Sequence, residues 1–405
     1  MGTELVDQVR ADGTIIQAED RKLSTAKKNG LLLDALPGAQ IIEFGGRNLI
    51  RYRDQLVLVK QVTHLGRPWP GFKKRIQIPN SWLDISREAT ERGLTVRFVG
   101  IYHHEGVTIF VDFDPTTYLE RKANNSAAHV ATNDLFQAQR LGEFSRRDRN
   151  GNRLTSIASA WFSRYLDFGL EKQDPRLAVF EHFNRQFLNG DWIEALTATK
   201  QMLAANWPDA FQGEWPGFYL EFSLNSLIVS EGFDGFVQFQ KSKRQGTFDY
   251  DLLLKQDGVL DFYGDLKSSD VSATESPGND AADLRRCIER YGRFWYVIFE
   301  HETEHARHHG DVATIAWNEW RRSAGHVPRK DFSPLSYSSR FKQSVRFVKM
   351  SILELNQANS DLVLTDFAQG RQPSGAAREL KVMIKKRNID NFLIFSADIR
   401  AQHRA

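Results

Sequence analysis

A mixed α/β (α+β) fold in two domains is predicted by three observations. From Ala39 to Phe113 short apolar runs alternate with Gly-Gly, Arg-Asp and Glu-Gly turns, the signature of a compact sheet or barrel. After residue 155 the spacing changes to long amphipathic patterns at Ile157 to Leu170, Pro175 to Leu188 and Asp191 to Asn206. The length of 405 residues is also more than one ordinary domain needs. The predicted domains are a β-rich region, 1–155, and an α/β region, 156–405.

Composition narrows the function classes. Hydrophobic residues at 41% and charged residues at 26% are ordinary for a soluble globular chain. With 54 basic and 51 acidic residues the net charge is only +3, so affinity for a polyanion would have to come from local patches. Cys287 is the single cysteine, which excludes an intrachain disulfide and a cysteine-rich zinc site. Glu4, Asp7, Arg10 and Asp12 interrupt the N-terminus where a secretory peptide needs an apolar core. No run approaches the roughly 18 apolar residues of a membrane span, so a soluble, cytoplasmic protein is expected.

The first 35 residues are polar, with one possible helical stretch. Strands are then predicted at Ile41 to Phe44, Leu49 to Tyr52, Leu56 to Val62, Arg75 to Ile78, Thr95 to Tyr102 and Val107 to Phe113, with a helix over Ser81 to Glu91. Basic residues stand among aromatics here: Arg47, Arg51, Tyr52, Arg53 and Lys60, then Arg67, Trp69, Phe72, Lys73, Lys74 and Arg75 in and after a Gly/Pro loop. Lys and Arg neutralise phosphates, Arg forks onto guanine edges and aromatic faces stack on bases. The alternative is the solvated face of half-buried strands. A second basic cluster, with Arg146, Arg147 and Arg153, reads as a linker that would track a nucleic-acid backbone, or else as a solvated basic hinge. In the second region Asp191 resembles a helix cap, with Asn189-Gly190 ending the helix before it.

The densest chemistry lies between Thr247 and Ser269. Leu252 to Leu254 and Val259 to Tyr263 flank Lys-Gln-Asp-Gly, and Asp-Gly between apolar runs predicts a β-hairpin. Asp249 and Asp251 stand at its start and Asp265 near its end, where pairing can bring them together. Lys267 shares a strand face with Asp265, because side chains alternate with period two. A helix over Gly217 to Val229 carries Glu221, and a strand at Gly235 to Gln240 follows. After the hairpin come a helix, Asp280 to Tyr291, and a strand, Phe294 to Phe299. Lys241, Lys243 and Arg244 before the hairpin, and Arg285, Arg286, Arg290 and Arg293 after it, suit a polyanionic substrate, or else pair within a surface helix. A helix at Ser339 to Asn356 and a strand at Asn391 to Phe395 complete the chain.

Gathered carboxylates suit Mg²⁺, which keeps waters and leaves room for a phosphate oxygen, and a neighbouring lysine can orient water or offset developing charge. The order helix, three strands, helix, strand, with Asp251, Asp265 and Lys267 on the hairpin, resembles the PD-(D/E)xK nucleases, which include many type II restriction endonucleases. The resemblance implies a restriction-endonuclease-like core, Mg²⁺-dependent cleavage of double-stranded DNA, catalytic roles for Asp251, Asp265 and Lys267, and Glu221 as a further acidic residue. Tyr250 departs from the family's Pro, and Asp249 could replace Asp251 as the metal ligand.

Two other classes compete. His301-Glu302-Thr303-Glu304-His305 is a literal H-E-x-x-H, the zinc pattern of many metallopeptidases when it lies on a helix. The aromatic and β-branched run Phe294 to Phe299 before it reads as a strand, against that use. A non-catalytic DNA-binding protein on a nuclease fold is the other class. A homodimer is expected, since one site cuts one strand, with Trp161 to Leu170 or Phe341 to Leu355 as possible interface helices.

Overall fold

The computed structural model describes residues 4–119, 125–148, 152–169, 174–208, 210, 213–240, 248–328, 331–360, 367–368 and 380–399. The chain forms two compact units, Met1–Gln173 with Asp390–Ile394, and Asp174–Ile389 with Phe395–Ala405.

In the first unit, β1 (Leu5–Val9) and β2 (Ile15–Glu19) form an antiparallel hairpin that the polar composition hides. Helix α1 (Thr25–Ala35) starts behind Ser24, whose hydroxyl accepts from the Lys27 amide at 3.1 Å. Then follow β3 (Gln40–Phe44), β4 (Arg47–Tyr52), β5 (Gln55–Gln61), β6 (Thr63–His64), β7 (Lys73–Pro79), α2 (Ser81–Glu91), β8 (Thr95–His104) and β9 (Val107–Phe113). The unit continues with α3 (Thr116–Leu119), β10 (Asn125–Ala131), α4 (Thr132–Leu141), β11 (Glu143–Arg147), β12 (Arg153–Ala158) and α5 (Phe162–Phe168). Seven strands form one open sheet in the order β11-β12-β9-β8-β5-β4-β3, and β10-β7-β6 form a smaller one. Leu32 of α1 and Phe162 of α5 pack with Ile50, Val57, Val99, Ile101, Phe110 and Ile157 of the large sheet, all buried. Each such side chain contributes roughly 1.5–3 kcal/mol by leaving water.

The expected boundary at residue 155 falls inside a strand. Leu154 to Ala158 pair with Phe113 to Ile109 of β9, and Arg146 and Arg153 belong to paired strands rather than a linker. The helix expected from Ile157 therefore begins at Phe162, after the sheet has ended.

The second unit contains α6 (Pro175–Phe187), β13 (Ile193–Glu194), α7 (Ala195–Ala204), α8 (Trp215–Glu231), β14 (Val237–Phe239), β15 (Leu252–Gln256) and β16 (Val259–Asp270). It continues with β17 (Glu275–Asp280), α9 (Ala281–Tyr291), β18 (Arg293–His305), α10 (Val312–Ser323), β19 (Lys342–Asn356), β20 (Phe367–Ala368) and β21 (Leu380–Lys385), and β22 (Leu393–Asp398) closes the described chain. The main sheet has the order β13-β19-β18-β16-β15-β14, with β16 and β18 parallel and the other neighbours antiparallel. The crossover from β16 to β18 passes through α9, which starts at Asp280, whose carboxylate accepts from the Ala282 and Asp283 amides, and ends at left-handed Gly292.

Two predictions fail here for identifiable reasons. The helix expected over Ser339 to Asn356 is instead, from Lys342 onward, the long strand β19, hydrogen-bonded to β18 on one side and, through Val345 and Ser344, to β13 on the other. Both of its faces are covered, so the alternation that marks a strand disappears from the sequence. The same burial removes Phe341 to Leu355 as a dimer interface. Asp191 is not a helix cap: α7 starts at Ala195 behind Glu194, and the Asp191 amide donates instead to Asn189 Oδ1 at 2.9 Å.

Candidate active site

The hairpin is built by its turn. Asp257 and Gly258 sit at φ 52° and 78°, the paired left-handed conformations of a tight two-residue turn, and Gln256 faces Val259 across it. A bulge between Leu254 and Lys255 then shifts the register so that Leu252 faces Gly264. Asp251, one residue ahead of Leu252, thereby meets Asp265. Arg176 and Arg293 brace the beginning of β16: both donate to Asp261, and both lie over the Phe262 ring, at 4.8 and 4.1 Å.

Asp251 and Asp265 are laced through their backbones. The Asp251 amide donates to Asp265 Oδ1 at 3.4 Å, and the Leu266 amide donates to Asp251 Oδ2 at 3.3 Å. Lys267 Nζ forms an ion pair with Asp265 Oδ2. Asp265 is 2% exposed, and the Lys267 side chain retains 26% of its surface. Burial, then the Asp265 charge beside it, pushes the Asp251 carboxyl well above the usual carboxylate range, and Glu221 of α8 adds to this. Burial alone would lower Lys267, but the charges of Asp265 and Asp251 outweigh it and hold the ammonium above its ordinary value. Tyr250, where the resembled motif has Pro, is buried against Phe294 with ring centroids 4.7 Å apart, and Phe294 meets Tyr296 at 4.9 Å. The charge of Asp265 reaches both Tyr250 and Tyr296.

Of the predicted residues, the structure thus brings Asp251, Asp265 and Lys267 together, with Glu221 half-buried and close enough for its charge to reach Asp251 and Lys267. Asp249 is exposed and ahead of the strand. Among the described residues no group of three or more His, Cys, Asp or Glu side chains is arranged to hold a metal ion. Two carboxylates that resist sharing negative charge nevertheless fit Mg²⁺, which takes one or two protein carboxylates and fills its other positions with water and phosphate oxygens. Asp251 and Asp265 would hold it.

The predicted DNA contacts divide. Arg67, Trp69, Arg51, Arg53, Arg147, Arg285 and Arg286 are exposed. Arg53 is ion-paired to Asp167 at 2.8 Å, Arg67 approaches Glu4 at 3.7 Å, and Arg286 pairs with Asp283 on its own helix. Lys73 lies over the Trp69 ring at 4.9 Å and reaches Asp390 at 3.7 Å, and Arg75 is half-buried. Lys74 and Arg146 are corrections. Lys74 is completely buried beside Tyr102, and Arg146 is buried in a fork onto Asp134, so neither can reach a phosphate at the surface. In each case the neighbouring strand residue, Lys73 or Arg147, takes the outward face. Lys243 and Arg244 lie outside the described residues.

The H-E-x-x-H stretch is the end of β18. His301 and His305 stand four strand steps apart, about 13 Å along the backbone, rather than one helical turn apart as the zinc pattern requires. Glu302 pairs with Arg346 instead. The zinc site is therefore excluded by the backbone.

Residues 53–166, within the first unit, match a family model described as Methylase-associated X1. No curated protein and no solved structure matches the chain. The match points to a component of a restriction–modification system and so to a setting in which DNA is involved. No helix among the described residues is long and apolar enough to cross a membrane.

Proposed function

We propose that the protein is a Mg²⁺-dependent endonuclease that cleaves double-stranded DNA at specific sequences, with Asp251, Asp265 and Lys267 of the second unit as its cutting centre. The observation that carries this reading is the meeting of those side chains on a hairpin whose second strand leads, through a crossover helix, to a parallel neighbour. Bound Mg²⁺ would supply Lewis acidity at the scissile phosphate and a more acidic water. Asp251 and Asp265 would orient that ion through two carboxylates locked by backbone amides. Lys267, held protonated by those carboxylates, is suited to donate to a phosphate oxygen as negative charge builds there. Glu221 completes an acidic rim that keeps the lysine charged. The methylase-associated match supports DNA as the substrate, since a restriction enzyme works beside a methylase.

Incubation of the full chain with supercoiled plasmids of differing sequence, with Mg²⁺ and with EDTA, tests the proposal. Discrete linear products only with Mg²⁺ are expected. Intact plasmid under both conditions, across DNA carrying and lacking base methylation, contradicts it.

A further inference from the structure

The two units repeat one topology. In the first, α1 precedes the antiparallel meander β3-β4-β5, α2 crosses over to β8 parallel to β5, and β9 returns antiparallel. In the second, α8 precedes β14-β15-β16, α9 crosses over to β18 parallel to β16, and β19 returns antiparallel. Five strands thus share order and direction, although β6 and β7 interrupt one crossover and β17 the other.

The strand starts after the crossover helices, Thr95 and Arg293, fix the correspondence. Tyr263, Asp265 and Lys267 pair with Phe294, Tyr296 and Ile298, while Leu56, Leu58 and Lys60 pair with Val96, Phe98 and Gly100. Leu58 therefore holds the place of Asp265, and Lys60 the place of Lys267. Two further relations agree. Phe98 packs on Trp82 of α2 at 4.9 Å, as Tyr296 lies beside Cys287 of α9. Gly217 of α8 sits against Ser268, a Cβ there falling 3.8 Å from that of Ser268, and the corresponding Gln61 is tied to the approach to α1, through Arg21 O at 2.6 Å and the Leu23 amide at 2.7 Å. Extending the Ile50–Val57 pairing by one residue puts Leu49 opposite Leu58, where the second unit has Asp251 opposite Asp265. Both carboxylates are leucines in this copy.

Charge is inverted at the same place. Gln61 holds the segment carrying Lys22 beside Lys60, and Lys28 of α1 feels both lysines, its ammonium lowered first by burial and then by their charge. Lys22 and Lys60 are exposed and Lys28 is half-buried, and among the described residues none of the three makes an ion pair. Unbalanced ammonium groups on a surface call for an anion.

We propose that the first unit is a carboxylate-free copy of the cutting unit's fold, and that Lys22, Lys28 and Lys60 bind backbone phosphates of duplex DNA without cutting them. The choice of DNA as the polyanion rests on the nuclease reading, whereas the repeat and the charge inversion do not. The test is duplex binding by the full chain in EDTA across a salt series, for wild type, Lys28→Gln/Lys60→Gln and Lys28→Glu/Lys60→Glu, with circular dichroism checking the fold. The glutamine pair should weaken binding about tenfold and reduce the slope of log K against log salt by about two, with the glutamate pair weaker still. Unchanged affinity and slope in folded variants, or no duplex binding by wild type, overturns the proposal. Lysine-dependent binding without any Mg²⁺-dependent cleavage would uphold it while removing the nuclease reading.

Discussion

Asp251 and Asp265 hold one another across the open end of the hairpin: the amide of the first donates to the carboxylate of the second at 3.4 Å, and the first carboxylate caps the amide that follows the second, at 3.3 Å. Two carboxylates are thereby fixed side by side, with the Lys267 ammonium paired to the second. Such an arrangement opposes its own charge until a cation arrives, which makes it measurable without any assay of cleavage.

Mg²⁺ should raise the melting temperature of the wild-type chain, because a ligand that binds only the folded state stabilises it. At tenfold over its Kd the gain is about 1.4 kcal/mol. Asp251→Asn should raise the metal-free melting temperature, since burial and Asp265 both disfavour that charge, and should abolish the Mg²⁺ effect. Thermal scans with Mg²⁺ and EDTA check it, and an equal Mg²⁺ shift in both proteins counts against metal binding at this pair.

Stability should fall on acidification through the His301 imidazole. Burial pulls its pKa down from 6.5 to about 4, so the unfolded chain takes up a proton that the folded chain refuses. The sign follows: the contribution is complete above about pH 6.5 and is lost progressively between 6.5 and 4, by up to roughly 3 kcal/mol. Urea unfolding across that range should show the slope, and His301→Gln should flatten it.

Lys74 should be a cost to the fold. Its ammonium is buried without a hydrogen-bond partner, and burial lowers its pKa against the weaker pull of Asp20 and Asp7. Lys74→Met keeps the stem and removes the charge, so denaturant unfolding should show a gain of about 1–3 kcal/mol. A loss would mean that the lysine serves a partner.

On the proposed nuclease reading, one cutting centre per chain predicts that both strands need two chains or two visits. Wild type mixed with excess Asp265→Ala should turn supercoiled plasmid into nicked circles if a dimer cuts. Linear product at the undiminished wild-type rate would instead indicate a monomer that cuts strands in turn.

Much of this was legible in the chain. The hairpin was readable because Asp257-Gly258 is a turn with its own chemistry, and α2 and α9 because their apolar spacing is clean. β19 was not, since a strand covered on both faces loses the alternation that separates strand from helix. Burial of Lys74 and Arg146 was also illegible: cations on alternating strand positions look alike until the sheet assigns one face to the core. The repeated topology leaves no motif in the sequence, because at the decisive positions leucines stand for carboxylates.

The central claim is that Asp251, Asp265 and Lys267 cut DNA, and single-turnover cleavage of a cognate duplex at saturating protein tests it most directly. Wild type should cleave with Mg²⁺ and stop in EDTA. Asp265→Ala and Lys267→Ala should each lose at least about 10²–10³ of the rate while binding the duplex as tightly. Cleavage by either variant at the wild-type rate would contradict the assignment.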